Sequence, residues 1–235
     1  MRRSDFFPVA RRSFLSRLGA GLAAVGAAVG IDSSTATAQG SSAGRWQAAR
    51  HGEDDWFDKI PGKHRTILDA VSTRGVGDAL HFASNIITTS KSGYGLESAD
   101  LAIVISLRHG ATAFAFNDAM WAKYSVPLSG RTKVTDPKGE GPAVVNVFNA
   151  SGYGGLLTNG ATTIDSLIKL GVHFAVCNQS TLGISGNLAR VTDGKAETTH
   201  KELTSNLIGN AHMVPSGIVA VGHAQERSYA YVYTG

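Results

Sequence analysis

The sequence predicts a single three-layer α/β domain with a mainly parallel sheet of about five strands. Strand-like and helix-like patterns alternate along most of the chain, as expected of βαβ units with right-handed crossovers. Residues 101–107, LAIVISL, form a continuous apolar run, which is typical of a strand covered on both faces. The chain has 235 residues, of which 43% are hydrophobic, and this is enough to bury one sound core.

The first 38 residues are expected to lie outside that domain. Arg11 and Arg12 form a basic pair, an apolar run spans residues 18–31, and Ala36-Thr37-Ala38 is a small-x-small cleavage signal. This order resembles a twin-arginine export signal and predicts a periplasmic or otherwise exported protein. The apolar run of about 14 residues is shorter than a membrane-spanning helix, so no stable membrane anchor is expected.

Removal of this leader changes the charge of the chain. The full sequence carries a formal net charge of +4, and the leader holds five arginines against two aspartates. The mature chain of 197 residues therefore has a net charge of +1 and no basic cluster, so no nucleic-acid partner is expected. The single cysteine excludes an intramolecular disulfide and a cysteine-only zinc site.

The first half of the mature chain has a recognisable order of elements. Residues 39–61 are small and polar and predict a flexible segment before a domain that spans 62–235. Residues 125–142 contain three prolines and three glycines and predict a loop. Apolar spacing predicts a strand at 66–71, a helix at 77–89, the strand at 101–107 and a helix at 111–124.

The second half continues the alternation. Ser216 is predicted to cap the last helix. No Gly-x-Gly-x-x-Gly fingerprint or P-loop follows a strand, so the usual nucleotide sites are not supported. The pattern predicts helices at 164–170, 182–191, 195–208 and 216–226, strands at 172–177 and 229–233, and an extended piece at 213–215.

Cys177 is the leading candidate for chemistry. It ends an apolar strand, and Asn178 follows it into the next helix. Ligands of open α/β sheets bind beyond the carboxyl ends of strands, and a helix N-terminus there favours thiolate over thiol. Such a thiolate could accept and pass on sulfane sulfur, with Asn178 contacting the ligand. The alternative is that Cys177 is a small buried hydrophobe.

His109 is the second candidate, because it follows the most apolar strand. It could serve as a general base, an anion contact or a metal ligand. Asn117 and Trp121 are four residues apart, can share one helical face and are further ligand-binding candidates; the alternative is that Trp121 belongs to the core. The histidines show no paired metal spacing. No metal site and no cofactor are therefore predicted, and metal or haem binding stays open.

Four stretches of the chain resemble the DsrE/DsrF-like (YchN-like) family, in particular its exported members. They are GKHRTILDA at 62–70, HGATAFAFNDAMWAKY at 109–124, GVHFAVCN at 171–178 and VPSGIVAV at 214–221. The resemblance implies a flavodoxin-like three-layer domain, commonly assembled as trimers or hexamers. In cytoplasmic relatives a cysteine after a central strand carries persulfide sulfur, and Cys177 matches that cysteine in context.

Three functional hypotheses follow. The first is an exported sulfur carrier or sulfurtransferase that uses Cys177 and exchanges small sulfur species. The second is a non-catalytic oligomeric module that binds a small ligand or a metal between His109 and Cys177. The third is a structural oligomer without chemistry, which burial of Cys177 in a dry core would favour.

Overall fold

The computed structural model describes residues 47–139, 141–150, 152–153 and 157–235. The predicted export signal at 1–38 lies outside these residues. Residues 48–235 form one compact unit. Among the described residues, no helix combines the length and the apolar character needed to cross a membrane.

Five parallel strands form one sheet, as the sequence predicts. The strands are β1 (His64–Ala70), β2 (Leu101–Leu107), β3 (His173–Cys177), β4 (Ala211–Val214) and β5 (Ala230–Tyr233). Their order across the sheet is β4-β3-β2-β1-β5, and every pairing is parallel. The α/β prediction is therefore confirmed, and the arrangement is consistent with a flavodoxin-like three-layer fold.

Helices cover both faces of the sheet. In the described part of the chain they are α1 (Trp56–Lys59), α2 (Thr73–Tyr94), α3 (Asp118–Lys123), α4 (Ser125–Thr132), α5 (Ile164–Lys169), α6 (Asn178–Val191), α7 (Ala196–Thr204) and α8 (Gly217–Glu226). Three short 3₁₀ segments span Gly52–Asp54, Ser98–Asp100 and His109–Ala115.

The two faces of the sheet have separate apolar cores. On one face, α2 and α6 pack over alternate residues of β2, such as Ile103 and Ile105. On the other, α8 packs over Ala102 and Val104. Because β2 is covered on both sides, all seven of its residues are buried, which explains its unbroken apolar sequence.

The two connections that leave β3 and β4 go to opposite faces. β3 is followed by α6, whose Ile184 and Leu188 belong to the first core, whereas β4 is followed by α8. Cys177 and Val214, the last residues of these neighbouring strands, are register partners. Such a divergence opens a crevice beyond the carboxyl ends of the strands, where ligands of open α/β sheets bind.

The segment before residue 62 is more ordered than predicted. The stretch from the 3₁₀ turn at Gly52–Asp54 to α1 was expected to be flexible, but Phe57 and Ile60 are buried in the core beneath α8. Tyr229 also donates a hydrogen bond of 2.8 Å from its hydroxyl to the carbonyl of Phe57. The folded domain therefore begins before residue 62.

The helix predicted at 111–124 is wrong in detail. Residues His109–Ala115 form a 3₁₀ segment, and α3 begins only after Asn117. The side chain of Asn146 donates to the carbonyls of Phe114 and Phe116, at 2.8 and 3.0 Å. The N–H of Asn117, which a continuous α-helix would direct at the Ala113 carbonyl, donates instead to the carbonyl of Asn206 at 3.0 Å, so helical pairing does not run through this stretch.

The loop predicted at 125–142 is also partly wrong, because it begins with α4. Pro127 lies in the first turn of this helix, where the missing N–H has no intrahelical role. Other differences concern ends: the predicted helix at 77–89 extends over Thr73–Tyr94, and the one at 195–208 ends at Thr204. Ser216 precedes α8 as predicted, but its side chain makes no capping bond.

A histidine pair makes the stability of this fold pH-dependent. His173 Nδ1 and His212 Nε2 lie 2.9 Å apart, and the Trp56 ring stacks on His212 at 4.0 Å. Burial, with His173 as the second cause, lowers the pKa of His212 from 6.5 to about 4. Burial also lowers the pKa of His173. Since the folded state binds fewer protons than the unfolded state between these values, stability falls as the pH drops through that window.

We expect the free energy of unfolding to fall by roughly 1–2 kcal/mol from about pH 7 to about pH 5 because of His212. Denaturant unfolding at several pH values measures this change. In His212→Gln the slope should flatten, whereas His64→Gln, which alters an exposed histidine, should leave it unchanged. An equal slope in His212→Gln and the unmodified chain would contradict the expectation.

Candidate functional site

Cys177 lies at the carboxyl edge of the sheet, where β3 and β4 end side by side. It is the last residue of β3 and the N-cap of α6. The residue is buried, with 5% of its surface exposed. Its placement at a strand end, predicted from the sequence, is observed.

Hydrogen-bond donors from two helices surround the Cys177 sulfur. The N–H of Ser180 in α6 donates to Sγ at 3.5 Å. The hydroxyl of Ser180 and the N–H groups of Gln179 and Gly217 lie near enough to lower the pKa of the thiol, and Gly217 is the first residue of α8. Polar groups at the start of both helices therefore face the sulfur of this buried residue.

These donors favour the thiolate. Burial alone raises the pKa of Cys177, because it penalises the charged form. The hydrogen bonds from Ser180, Gly217 and Gln179 act in the opposite direction and together outweigh burial, so the pKa is lowered from its ordinary value. A lowered pKa is the main determinant of cysteine reactivity.

Gly217 brings α8 close enough to contribute its donor. A β-carbon added at this position would lie 2.6 Å from Arg108 Cβ and 3.2 Å from Cys177 Cβ. Only the absence of a side chain allows the backbone of residue 217 to approach these two side chains. The glycine therefore allows the start of α8 to lie against Cys177 and Arg108.

An ion pair lies beside the cysteine. Arg108 directly follows β2 and donates to the carboxylate of Asp69 through Nε at 2.8 Å and Nη2 at 2.9 Å. Tyr231 donates its hydroxyl to the same carboxylate at 3.1 Å. Asp69 is fully buried, so these bonds compensate a charge that would otherwise be costly inside the protein.

His109 contributes through its backbone. Its N–H donates to Ser180 Oγ at 3.0 Å, which leaves the Ser180 hydroxyl proton free to point at Cys177. Its carbonyl accepts a long bond of 3.4 Å from Arg131. The residue has φ of +54°, an uncommon value for a side chain other than glycine. The exposed imidazole makes no hydrogen bond within the described chain, so the roles predicted for it stay predictions.

Two of the predicted ligand-binding residues have structural roles, which corrects the expectation. Asn117 caps α3 by accepting from the N–H of Met120, and it also bonds to Asn206. Trp121 is completely buried, and its indole N–H donates to the carbonyl of Ala113. Since Trp121 presents no surface, it cannot line an open site.

Asn178 is close to Cys177 in sequence but is bound elsewhere. Its Oδ1 accepts a hydrogen bond of 2.8 Å from His200 Nε2, which ties α6 to α7. Within the described residues, no group of three or more His, Cys, Asp or Glu side chains is arranged to hold a metal ion.

Sequence reasoning missed four residues that shape the site. Asp69 is a charged residue inside the otherwise apolar TILDA stretch, and a buried charge needs a partner, which is a usable signal. Arg108 follows β2, Ser180 lies in the first turn of α6 and Gly217 begins α8, all at the carboxyl edge of the sheet. Their meeting at Cys177 depends on strand order, which periodicity does not reveal.

Comparisons with known proteins add little to this picture. No protein-family model and no curated protein matches the chain. The chain is similar to a solved structure of a protein of unknown function from Methanobacterium thermoautotrophicum, at 15% identity and a TM-score of 0.35. The match covers 73% of this chain and 99% of that one.

Proposed function

We propose that this protein is an exported, DsrE-like sulfur carrier or sulfurtransferase that uses Cys177. The observation that carries the proposal is the position of Cys177 Sγ, which accepts from the Ser180 N–H of α6 and lies beside the start of α8 at Gly217, where the chain leaves β3 and β4 toward opposite faces. A donor at the start of α6 stabilises the negative charge of a Cys177 thiolate.

The chemistry requires no oxidant. The Cys177 thiolate attacks the outer sulfur of a donor R–S–SH, and a new S–S bond forms on Sγ. The S–S bond of the donor breaks, and its electron pair leaves with the thiolate R–S⁻. In the second step an acceptor thiolate attacks the carried sulfur and releases the Cys177 thiolate. Because the chain has one cysteine, the acceptor must lie on another molecule.

The sequence resemblance supports this proposal and extends it to assembly. A carrier of the DsrE-like type would form a homo-oligomer, such as a trimer or hexamer, in the periplasm. Small sulfur species would be its ligands. A hydrodynamic mass of the full chain in solution tests the oligomer separately from the sulfur chemistry.

Intact-mass spectrometry of the chain after exposure to hydropolysulfide tests the function. We expect one added sulfur atom that a reductant removes, and no such adduct on Cys177→Ser. Since Cys177 is the only cysteine, no peptide mapping is needed to locate the adduct. An unmodified mass under conditions that load a free thiol peptide would contradict the proposal.

The low exposure of Cys177 favours a second candidate, a non-catalytic oligomer in which the thiol only caps α6. In that case Cys177→Ser, which keeps a capping oxygen, would fold normally, and the unmodified chain would not take up sulfur. Elemental analysis and an absorbance spectrum of the purified protein would reveal a bound metal or haem.

A further inference from the structure

Arg108 and Cys177 stand side by side at the carboxyl edge of the sheet. Leu107 of β2 and Val176 of β3 are register partners, so the next residue on each strand is again a neighbour. Both side chains also border the same point, the missing β-carbon of Gly217. Arg108 and Cys177 are therefore neighbours at this edge, and the Arg108 guanidinium extends toward Asp69 on β1.

Hydrogen bonds to Asp69 fix the guanidinium of Arg108 but do not engage all of its nitrogens. Nε and Nη2 bind the carboxylate of Asp69, whose second oxygen also accepts from Tyr231. The third nitrogen, Nη1, has no protein acceptor among the residues described. The side chain is 24% exposed, so part of the guanidinium reaches solvent. The hydrogen bond to Asp69 raises the pKa of Arg108 above its ordinary value, which keeps it charged.

The positive charge of Arg108 would attract a sulfur donor that is itself an anion. The donors of α6 and α8 point at the thiolate itself, so a second negative charge in the cleft would be repelled without another cation. Burial and the neighbouring Asp69 raise the pKa of the nearby Tyr231, so this phenol is neutral at physiological pH. Arg131, which bonds to the His109 carbonyl, adds positive charge to the same edge.

We propose that Arg108 makes the Cys177 cleft selective for small anionic sulfane-sulfur donors, of which thiosulfate is the simplest. This inference rests on the proposed function and names its substrate class. The thiolate attacks the outer sulfur of thiosulfate, the S–S bond of the donor breaks, and its electron pair leaves with sulfite. Cys177 then carries the sulfur as a persulfide anion, and the total charge is unchanged. Arg108 is a specificity-determining residue that contacts the sulfonate oxygens through Nη1.

A pair of alkylating reagents measures the charge selectivity without any sulfur chemistry. Iodoacetate is an anion and iodoacetamide is its neutral counterpart, and both report on Cys177 alone. In Arg108→Gln we expect the ratio of the iodoacetate rate to the iodoacetamide rate to fall about 10-fold. Arg108→Lys, which keeps the charge, should restore most of the ratio. Arg74→Gln, at an arginine whose side chain is 82% exposed on α2, should leave it unchanged.

Loading from two donors then separates this inference from the proposed function. The unmodified chain should gain one sulfur atom from thiosulfate, and it should form an S-allyl disulfide with the neutral diallyl trisulfide, which releases allyl persulfide. Arg108→Gln should lose the thiosulfate adduct selectively. Equal loss with both donors, or an unchanged reagent ratio, would overturn the role of Arg108 while leaving the carrier function standing. Loading from neither donor in the unmodified chain would overturn both.

Discussion

Replacing Gly217 with alanine is expected to damage the Cys177 site more than any other single methyl group added to α8. The new β-carbon would lie 2.6 Å from Arg108 Cβ and 3.2 Å from Cys177 Cβ, and the first atom cannot move far because its side chain is pinned to Asp69. The N-terminus of α8 must therefore shift away from β3. Overpacking of this kind costs about 1–3 kcal/mol of unfolding free energy.

The same shift removes a hydrogen bond from the thiolate. We expect the pKa of Cys177 to rise in Gly217→Ala, because the N–H of residue 217 lowers it and would move away from the sulfur. The rate of alkylation by iodoacetamide at neutral pH, and the denaturation midpoint, measure the two effects. Gly222→Ala is the matched control, since a β-carbon there meets nothing within 4 Å. If both variants behaved alike, close approach at Gly217 would not matter.

Replacing Asp69 with asparagine is expected to destabilise the fold by about 2–4 kcal/mol, because it removes one partner of a buried ion pair. The substitution keeps the shape of the side chain but deprives Arg108 of its counter-charge and Tyr231 of a charged acceptor. The expected loss of unfolding free energy is smaller than for a fully buried ion pair, because Arg108 is partly exposed to water. Denaturant unfolding at neutral pH measures the loss.

Asp78→Asn is the matched control for this substitution. Asp78 pairs with Arg74 at 3.5 Å on the surface of α2, where exposed ion pairs contribute about 0–1 kcal/mol. If Asp69→Asn lost no more unfolding free energy than Asp78→Asn, the ion pair of Asp69 with Arg108 would contribute little to stability.

Hydrophobic patterning was sufficient to predict the sheet. The run at 101–107 coincides with β2, and Cys177 ends β3 as predicted, because strands covered on both faces are apolar throughout. Helix boundaries were less predictable because side chains decide them locally. The thiol of Cys177 caps α6, so that helix begins at Asn178 instead of residue 182. The predicted helix at 111–124 is interrupted where the N–H of Asn117 bonds to Asn206.

From the sequence, the site could be predicted only at a residue whose chemical type is itself distinctive. Cys177 stood out as the single thiol at a strand end. Trp121 shared a helical face with Asn117 in the prediction, yet the same spacing equally suits a core residue, and burial decided between the two. Arg108 and Gly217 could not be linked to Cys177 without the strand order, since they are 69 and 40 residues away from it along the chain.

The pH dependence of Cys177 alkylation by iodoacetamide tests the central claim most directly. The claim is that donors from α6 and α8 outweigh burial and favour the thiolate. The midpoint of the rate profile in the folded protein should then lie below the midpoint for the same chain unfolded in denaturant, and Ser180→Ala should move it upward. A folded midpoint at or above the unfolded one would show that burial prevails and would contradict an activated thiol at this site.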